Sequence, residues 1–290
     1  MAPPFRFATC NEIFKDSPFP QTCQQIRNCG YTGIEIAPFT LATHPREISG
    51  EQRRQLRSEM ADAGLEFVGL HWILVSPEPL HVTTPDLELR KRSWQYLKEL
   101  VDLCADLGGD TKADAQPGSN GVMVFGSPKQ RSATGGMSPA DAEQVFIEGL
   151  AGLAPHAFDR RVQVLVEALP MNQSDVITSL ERAASVVHQI NNPAIQTMFD
   201  THNAIDETVP HTKLVRDYFD VIRHVHVNEL DGKEPGQGDY PFGPLLQTLA
   251  SLSYKGWVSL EAFDFSRSAE TIAKGAFEHL NRQWESVHGE

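Results

Sequence analysis

The feature that most constrains this chain is a strict alternation. Short apolar or β-branched runs are each followed by a longer stretch of helical period, eight times over. The runs cover residues 5–10, 33–37, 66–72, 121–125, 162–167, 195–200, 222–228 and 257–261. The helical stretches lie near 19–29, 50–63, 84–108, after Ser138-Pro139, and near 174–190, 211–219, 242–252 and 268–287. Thr84-Pro85-Asp86 reads as a cap residue followed by proline at the first helical position. Such alternation implies a parallel sheet. Eight units predict an α/β fold closed as a single (β/α)8 TIM barrel over residues 1–290. Neither a GxGxxG fingerprint nor a GKS/GKT loop is present, which argues against dinucleotide and P-loop folds.

Composition narrows the partners. The 290 residues carry 25 Lys plus Arg against 38 Asp plus Glu, a formal net charge of −13. Nucleic acid is not the expected partner, because a phosphate backbone calls for a basic stripe and the longest basic run is Arg90-Lys91-Arg92. No apolar stretch reaches the ~18 residues of a membrane span. Residues 1–6 lack the apolar core of a secretory signal. Cys10, Cys23, Cys29 and Cys104 show no CxxC spacing and no disulfide framework, so they read as reduced thiols in a cytoplasmic protein. Homo-oligomerisation stays open. Residues 108–119 (GGDTKADAQPGS) stand apart as a polar, Pro/Gly-rich insertion between the third helix and the fourth strand, at the barrel face away from chemistry.

Catalytic groups of a barrel sit at the C-terminal ends of its strands. The fifth run ends in Glu167 (VLVEALP), the sixth in Asp200 (TMFDTHN), the seventh in His226 (RHVHVNE) and the eighth in Glu261 (WVSLEAF). Each follows an apolar run, where a lone buried charge is costly. Three crowded carboxylates repel one another, and a divalent cation removes the repulsion. Three oxygens and one imidazole nitrogen make a mostly hard donor set, favouring one Mn2+, Mg2+ or Co2+ over a thiolate-loving ion. The alternative, four isolated polar strand ends each with its own hydrogen bond, leaves their common register without a cause.

Further candidates would touch a polyhydroxylated small-molecule ligand. His71-Trp72 ends the third run and offers a donor and an apolar wall. His202 follows Asp200, and Asn11, Glu12 and Glu35 lie on or after the first two runs. Asn228 and Lys233 follow the seventh. His224 faces the same way as His226, one layer deeper, and reads as packed behind it. The other histidines, at 44, 81, 156, 188, 211, 279 and 288, read as surface residues.

The four strand endings and the eightfold alternation resemble the sugar phosphate isomerase/epimerase group of the xylose isomerase-like barrel superfamily, which includes ketose 3-epimerases and hydroxypyruvate isomerase. The likeness covers nearly the whole chain and is strongest over residues 162–261. It extends to the turn Pro235-Gly236-Gln237-Gly238 within HVHVNELDGKEPGQGDYPF. It implies that Glu167, Asp200, His226 and Glu261 hold the metal and that Glu167 and Glu261 form the catalytic acid/base pair. It also implies isomerisation or epimerisation of a keto sugar by proton transfer through a metal-stabilised enediolate. Three positions depart from the epimerase pattern. His202 stands two residues after Asp200 rather than three, Gly232 replaces an arginine with Lys233 next to it, and Gln173 replaces a further glutamate. The implied metal centre carries over, and the epimerases' substrate contacts do not. Two related chemistries compete. A metal-dependent lyase or hydratase on keto-sugars or keto-glycosides would expel a β-substituent. An endonuclease IV-like phosphoesterase would recruit His71 and His202 as extra zinc ligands, and the charge of −13 opposes it. No phosphate-gripping glycine loop follows the last two runs, which favours an unphosphorylated sugar.

Overall fold

The computed structural model describes residues 2–109 and 116–288. Eight parallel strands close into a barrel in chain order. They are β1 (Arg6–Cys10), β2 (Gly33–Ile36), β3 (Glu66–Leu70), β4 (Val122–Phe125), β5 (Gln163–Val166), β6 (Ile195–Asp200), β7 (Ile222–Val227) and β8 (Trp257–Leu260). The helices are α1 (Phe19–Asn28), α2 (Gly50–Asp62), α3 (Leu87–Gly108), the one-turn α4 (Pro128–Arg131), α5 (Pro139–Asp159), α6 (Leu180–Ile190), α7 (His211–Asp217), α8 (Phe242–Ser251) and α9 (Ala269–His288). The expected (β/α)8 TIM barrel is therefore present. Among the described residues, no helix is long and apolar enough to cross a membrane.

Strand periodicity sorts the side chains into two layers. Phe7, Ile34, Ile36, Val225, Val227 and Leu260 pack outward into the core shared with the helices. Between them, Ala8, Val68, Val122, Val124, Leu165 and Met198 form a small separate plug, with Trp257 against it. Cys10 lies two residues beyond Ala8, on the same face, and pairs in register with Glu35. Asp200 pairs with His226, after a register shift between Thr197 and Phe199. Pairing alone thus sets two prospective ligands side by side.

Two local expectations need correction. The cap of α3 is Asp86, whose side chain accepts from the Glu88 and Leu89 amides at 3.0 Å each. Thr84 instead accepts from the Asp86 amide, because the aspartate is the oxyanion placed to reach the first free helix amides. Helix α6 starts at Leu180, capped by Ser179, and not at 174. Before it the chain folds back, the Leu169 amide donating to the Ile177 carbonyl, and Ile177 takes a left-handed φ of 56°. Of the polar stretch 108–119, residues 110–115 lie outside the described residues. Gly108 ends α3 against the Asn120 backbone, where a Cβ has no room, and the Gly118 amide donates to Arg161.

Candidate metal centre

Glu167, Asp200, His226 and Glu261 each offer one ligand atom, and these atoms lie within 4.8 Å of one another. Each residue is between 0% and 5% exposed. Glu167 and Glu261 come directly after β5 and β8, while Asp200 ends β6 and His226 lies near the end of β7. His226 Nδ1 is 3.0 Å from Glu261 Oε2 and 3.7 Å from Asp200 Oδ2.

The electrostatics show what this grouping lacks. Burial, then Glu261 and Asp200, pushes the Glu167 carboxyl up to about 8. Burial, then Glu261, pushes Asp200 up to about 6. A proton then does the work of a counter-ion on carboxylates that cannot all ionise together. Glu261 behaves differently. Burial would raise it, yet the positive ring of His226 beside it, with that ring's hydrogen bond and the nearby His71, holds it well below the usual carboxylate range. A divalent cation suits three oxygens and an imidazole so placed, and the residues fit one. The nearby Cys10 thiol is raised to about 12, first by burial and then by Glu35, so it rests protonated in the metal-free protein.

Neighbouring side chains hold the four in place. The Trp72 indole N–H donates to Glu261 Oε1 at 2.7 Å. The Asn203 amide group donates to Glu167 Oε1 at 2.9 Å, and its backbone N–H to Asp200 Oδ1 at 2.7 Å. Asn228 Nδ2 reaches Asp200 Oδ2 at 3.4 Å, while its Oδ1 accepts from Thr201 and from the His202 amide. Gly126 leaves room for Glu167, since a Cβ there would run into Oε2. Arg131 is fully buried, donates to the Phe125 carbonyl, and is lowered to about 10 by burial against the opposing pull of Glu167.

A cleft of about 380 Å³ opens over two of the four, Glu167 and Glu261. Its walls include Trp72, Val75, Val124, Leu169 and Phe263, with Gln173, Asn203, Ser127 and Lys129 among its polar groups. Trp72 and Ser127 hold left-handed φ values of 52° and 49°, the kind of backbone cost that concentrates at functional sites.

The sugar-contact candidates divide accordingly. Trp72 lines the cleft. His202 sits behind it, 3.2 Å from the Gln173 amide nitrogen and 2.7 Å from the Leu230 carbonyl oxygen. The others lie outside the lining. His71 is buried, 3.0 Å from Glu12 Oε2 and 3.5 Å from Glu261 Oε1. Asn11 ties Thr40 to the Ala37 amide. Glu35 lies inside the barrel within 3.1 Å of His226 and 2.9 Å of His224. Asn228 braces Asp200, and Lys233 pairs with Asp231 at 2.6 Å. His211, expected at the surface, is half-buried between Tyr240 and the Ala204 carbonyl.

Sequence reasoning missed Asn203, Gly126, Ser127, Lys129, Arg131 and Phe263. Asn203 and Phe263 stand within three residues of Asp200 and Glu261 and were open to discovery on that ground. The residues around α4 carry no periodic signal. The Pro235–Gly238 turn is secured by Glu229, which accepts from the Gly236 and Tyr240 amides, and an Arg267–Glu234 ion pair ties this loop to the one after β8.

Comparison with known proteins agrees with this architecture. A protein of Streptomyces coelicolor provisionally assigned as a hydroxypyruvate isomerase is 25% identical, over 86% of this chain and 87% of its own length. A Synechocystis protein provisionally assigned as a ketose 3-epimerase is 23% identical, over 91% and 83%. A crystal structure of D-psicose 3-epimerase in the presence of D-fructose superposes with a TM-score of 0.80 at 16% identity, covering 99% of this chain and all of that one. Residues 23–283 match the xylose isomerase-like TIM barrel profile, and the chain belongs to that family.

Proposed function

We propose that this protein is a divalent-metal-dependent sugar isomerase or epimerase acting on a keto sugar. The observation that carries this reading is the division of the quartet. Two carboxylates, Glu167 and Glu261, line the cleft, while Asp200 and His226 lie behind them. All four would hold the cation, with Mn2+ the first choice and Mg2+ or Co2+ as substitutes. When bound, it supplies Lewis-acid polarisation of the substrate carbonyl.

The chain's own residues do the rest. One glutamate removes the proton from the carbon next to the carbonyl. In epimerisation the other returns a proton to the opposite face. In aldose–ketose isomerisation the proton is delivered to the neighbouring carbon. The indole N–H of Trp72 holds Glu261, and the Asn203 amide holds Glu167. Trp72, Phe263 and Leu169 keep bulk water from the intermediate. Proton transfer by positioned carboxylates supplies about 10²–10⁴-fold. We read residues 1–290 as one domain, and the four buried free thiols as suited to the reducing cytoplasm.

The test is elemental analysis of purified protein, followed by a keto-sugar panel in deuterated water. One dication per chain and solvent deuterium at the carbon next to the carbonyl support the reading. Release of a β-substituent from a keto-glycoside points to elimination instead. Two or three zinc ions per chain point to phosphoester hydrolysis.

A further inference from the structure

Glu35 takes no part in the cleft, yet it sits at the centre of the barrel. It belongs to β2, which is not a neighbour of β7, and a register shift falls immediately before it. Both its carboxylate oxygens lie 3.1 Å from His226 Nε2. On its other side His224 Nε2 lies 2.9 Å from Oε2. All three side chains are 0–1% exposed, so no water competes for these contacts. An ionised carboxylate can only accept, so the ring nitrogen facing it must carry hydrogen. In the metal-free protein Nδ1 carries hydrogen as well, toward Glu261; a bound cation would displace that proton, and the hydrogen kept on Nε2 by Glu35 would leave the lone pair on Nδ1. Nδ1 is the ring nitrogen turned toward Glu261 and Asp200.

Resting on the metal-site reading above, we propose that Glu35 is a positioning residue that fixes the tautomer and ring orientation of His226, presenting Nδ1 to the cation. His224 holds Glu35 in turn by a second donor, so the metal affinity of a β7 ligand is set from the opposite wall of the barrel. Partners behind a metal-ligating histidine typically govern affinity by about 10–100-fold.

The experiment is Mn2+ binding to metal-stripped protein by titration calorimetry, with the visible spectrum of the Co2+-loaded protein as a second reading. E35Q keeps the side chain's size but can turn an amide N–H toward Nε2, favouring the wrong tautomer. It is expected to weaken Mn2+ binding about 10–100-fold and to alter the Co2+ spectrum, beside the lower metal-free melting temperature that follows from taking a buried carboxylate from two histidines. E35D, which keeps an acceptor-only group on a shorter reach, is expected to fall between the two and serves if E35Q does not fold. A parent-like dissociation constant and spectrum in E35Q overturn the proposal and leave the proposed function standing. So does a loss confined to melting temperature. A parent protein that binds no Mn2+ overturns both readings together.

Discussion

The two halves of the barrel bury acidic side chains equally well and treat them differently. In the first half, Glu12 faces His71 and Glu35 faces His224 and His226. Burial works against the Glu35 carboxylate, but the charges of His226 and then His224 outweigh it and hold the group well below its ordinary range. In the second half, Glu167 and Asp200 receive only amide hydrogen bonds and weaker compensation, and both are raised. Glu261 closes the ring against β1 and sides with the first half, since it adds His71 and Trp72 from there to the neighbouring His226. Where the protein supplies its own cations, the carboxylates are settled. Where it does not, the deficit is what a metal ion would fill.

The sharpest way to break this contrast is to neutralise one cleft glutamate. E261Q or E167Q is expected to lower kcat by about 10²–10⁴-fold and to stop deuterium wash-in, with folding largely intact. Exchange at the parent rate in either variant would remove that glutamate from the acid/base role. Next comes the first half. E12Q leaves His71 buried without its carboxylate, and loss of one member of such a pair costs about 3–5 kcal/mol, read as a lower urea midpoint. Turnover of the folded fraction should change far less. An unchanged midpoint with lost turnover would place Glu12 in the chemistry rather than its support.

W72F removes the indole donor to Glu261 while keeping an aromatic wall. A hydrogen bond to a charged group is worth about 1.5–3 kcal/mol, so kcat should fall roughly 10–100-fold, with little change in melting temperature. A smaller effect follows pH. Glu167 and Asp200 have raised folded-state values, so their protonation stabilises the metal-free fold at low pH. That contribution is lost as pH rises through about 6 and then about 8. His226 and His71 are raised too. Burial lowers each ring, but Glu35 and Glu261 outweigh it at His226, and Cys10 and Glu12 at His71, so both act in the same direction. His224, His211, His81 and His279 are lowered by burial and oppose this near pH 6, so the melting temperature of stripped protein should fall chiefly between about pH 7 and pH 9, and saturating Mn2+ should flatten that slope. A rising slope would reverse the assignment of which half lacks cations. The smallest expected effect is K233A. With its partner Asp231 at the surface and no place in the cleft, it should leave turnover and melting unchanged.

The barrel and the four prospective ligands were legible because both are local signals repeated. Apolar runs such as Ile195–Asp200 in β6 and their polar last residues occur at fixed places along the chain, and the barrel then aligns them. Asn11, Glu12, Glu35 and His71 carried the same kind of signal, a polar residue at or just after a strand, and read as substrate contacts. Whether such a side chain meets the cleft or lies below it depends on strand tilt and stagger, which periodicity does not contain. Helix α4 and the left-handed Trp72 and Ser127 were equally hidden, because their conformations answer to distant neighbours rather than to local propensity.

By itself, then, the order of residues determined the number of strands, their alternation with helices and the identity of the side chains at strand ends, all consequences of short-range pattern and burial. Only the closed structure decided which carboxylates meet a histidine and which are left in excess. That outcome depends on distances across the barrel, between strands such as β2 and β7 that are far apart in sequence and not adjacent in the sheet.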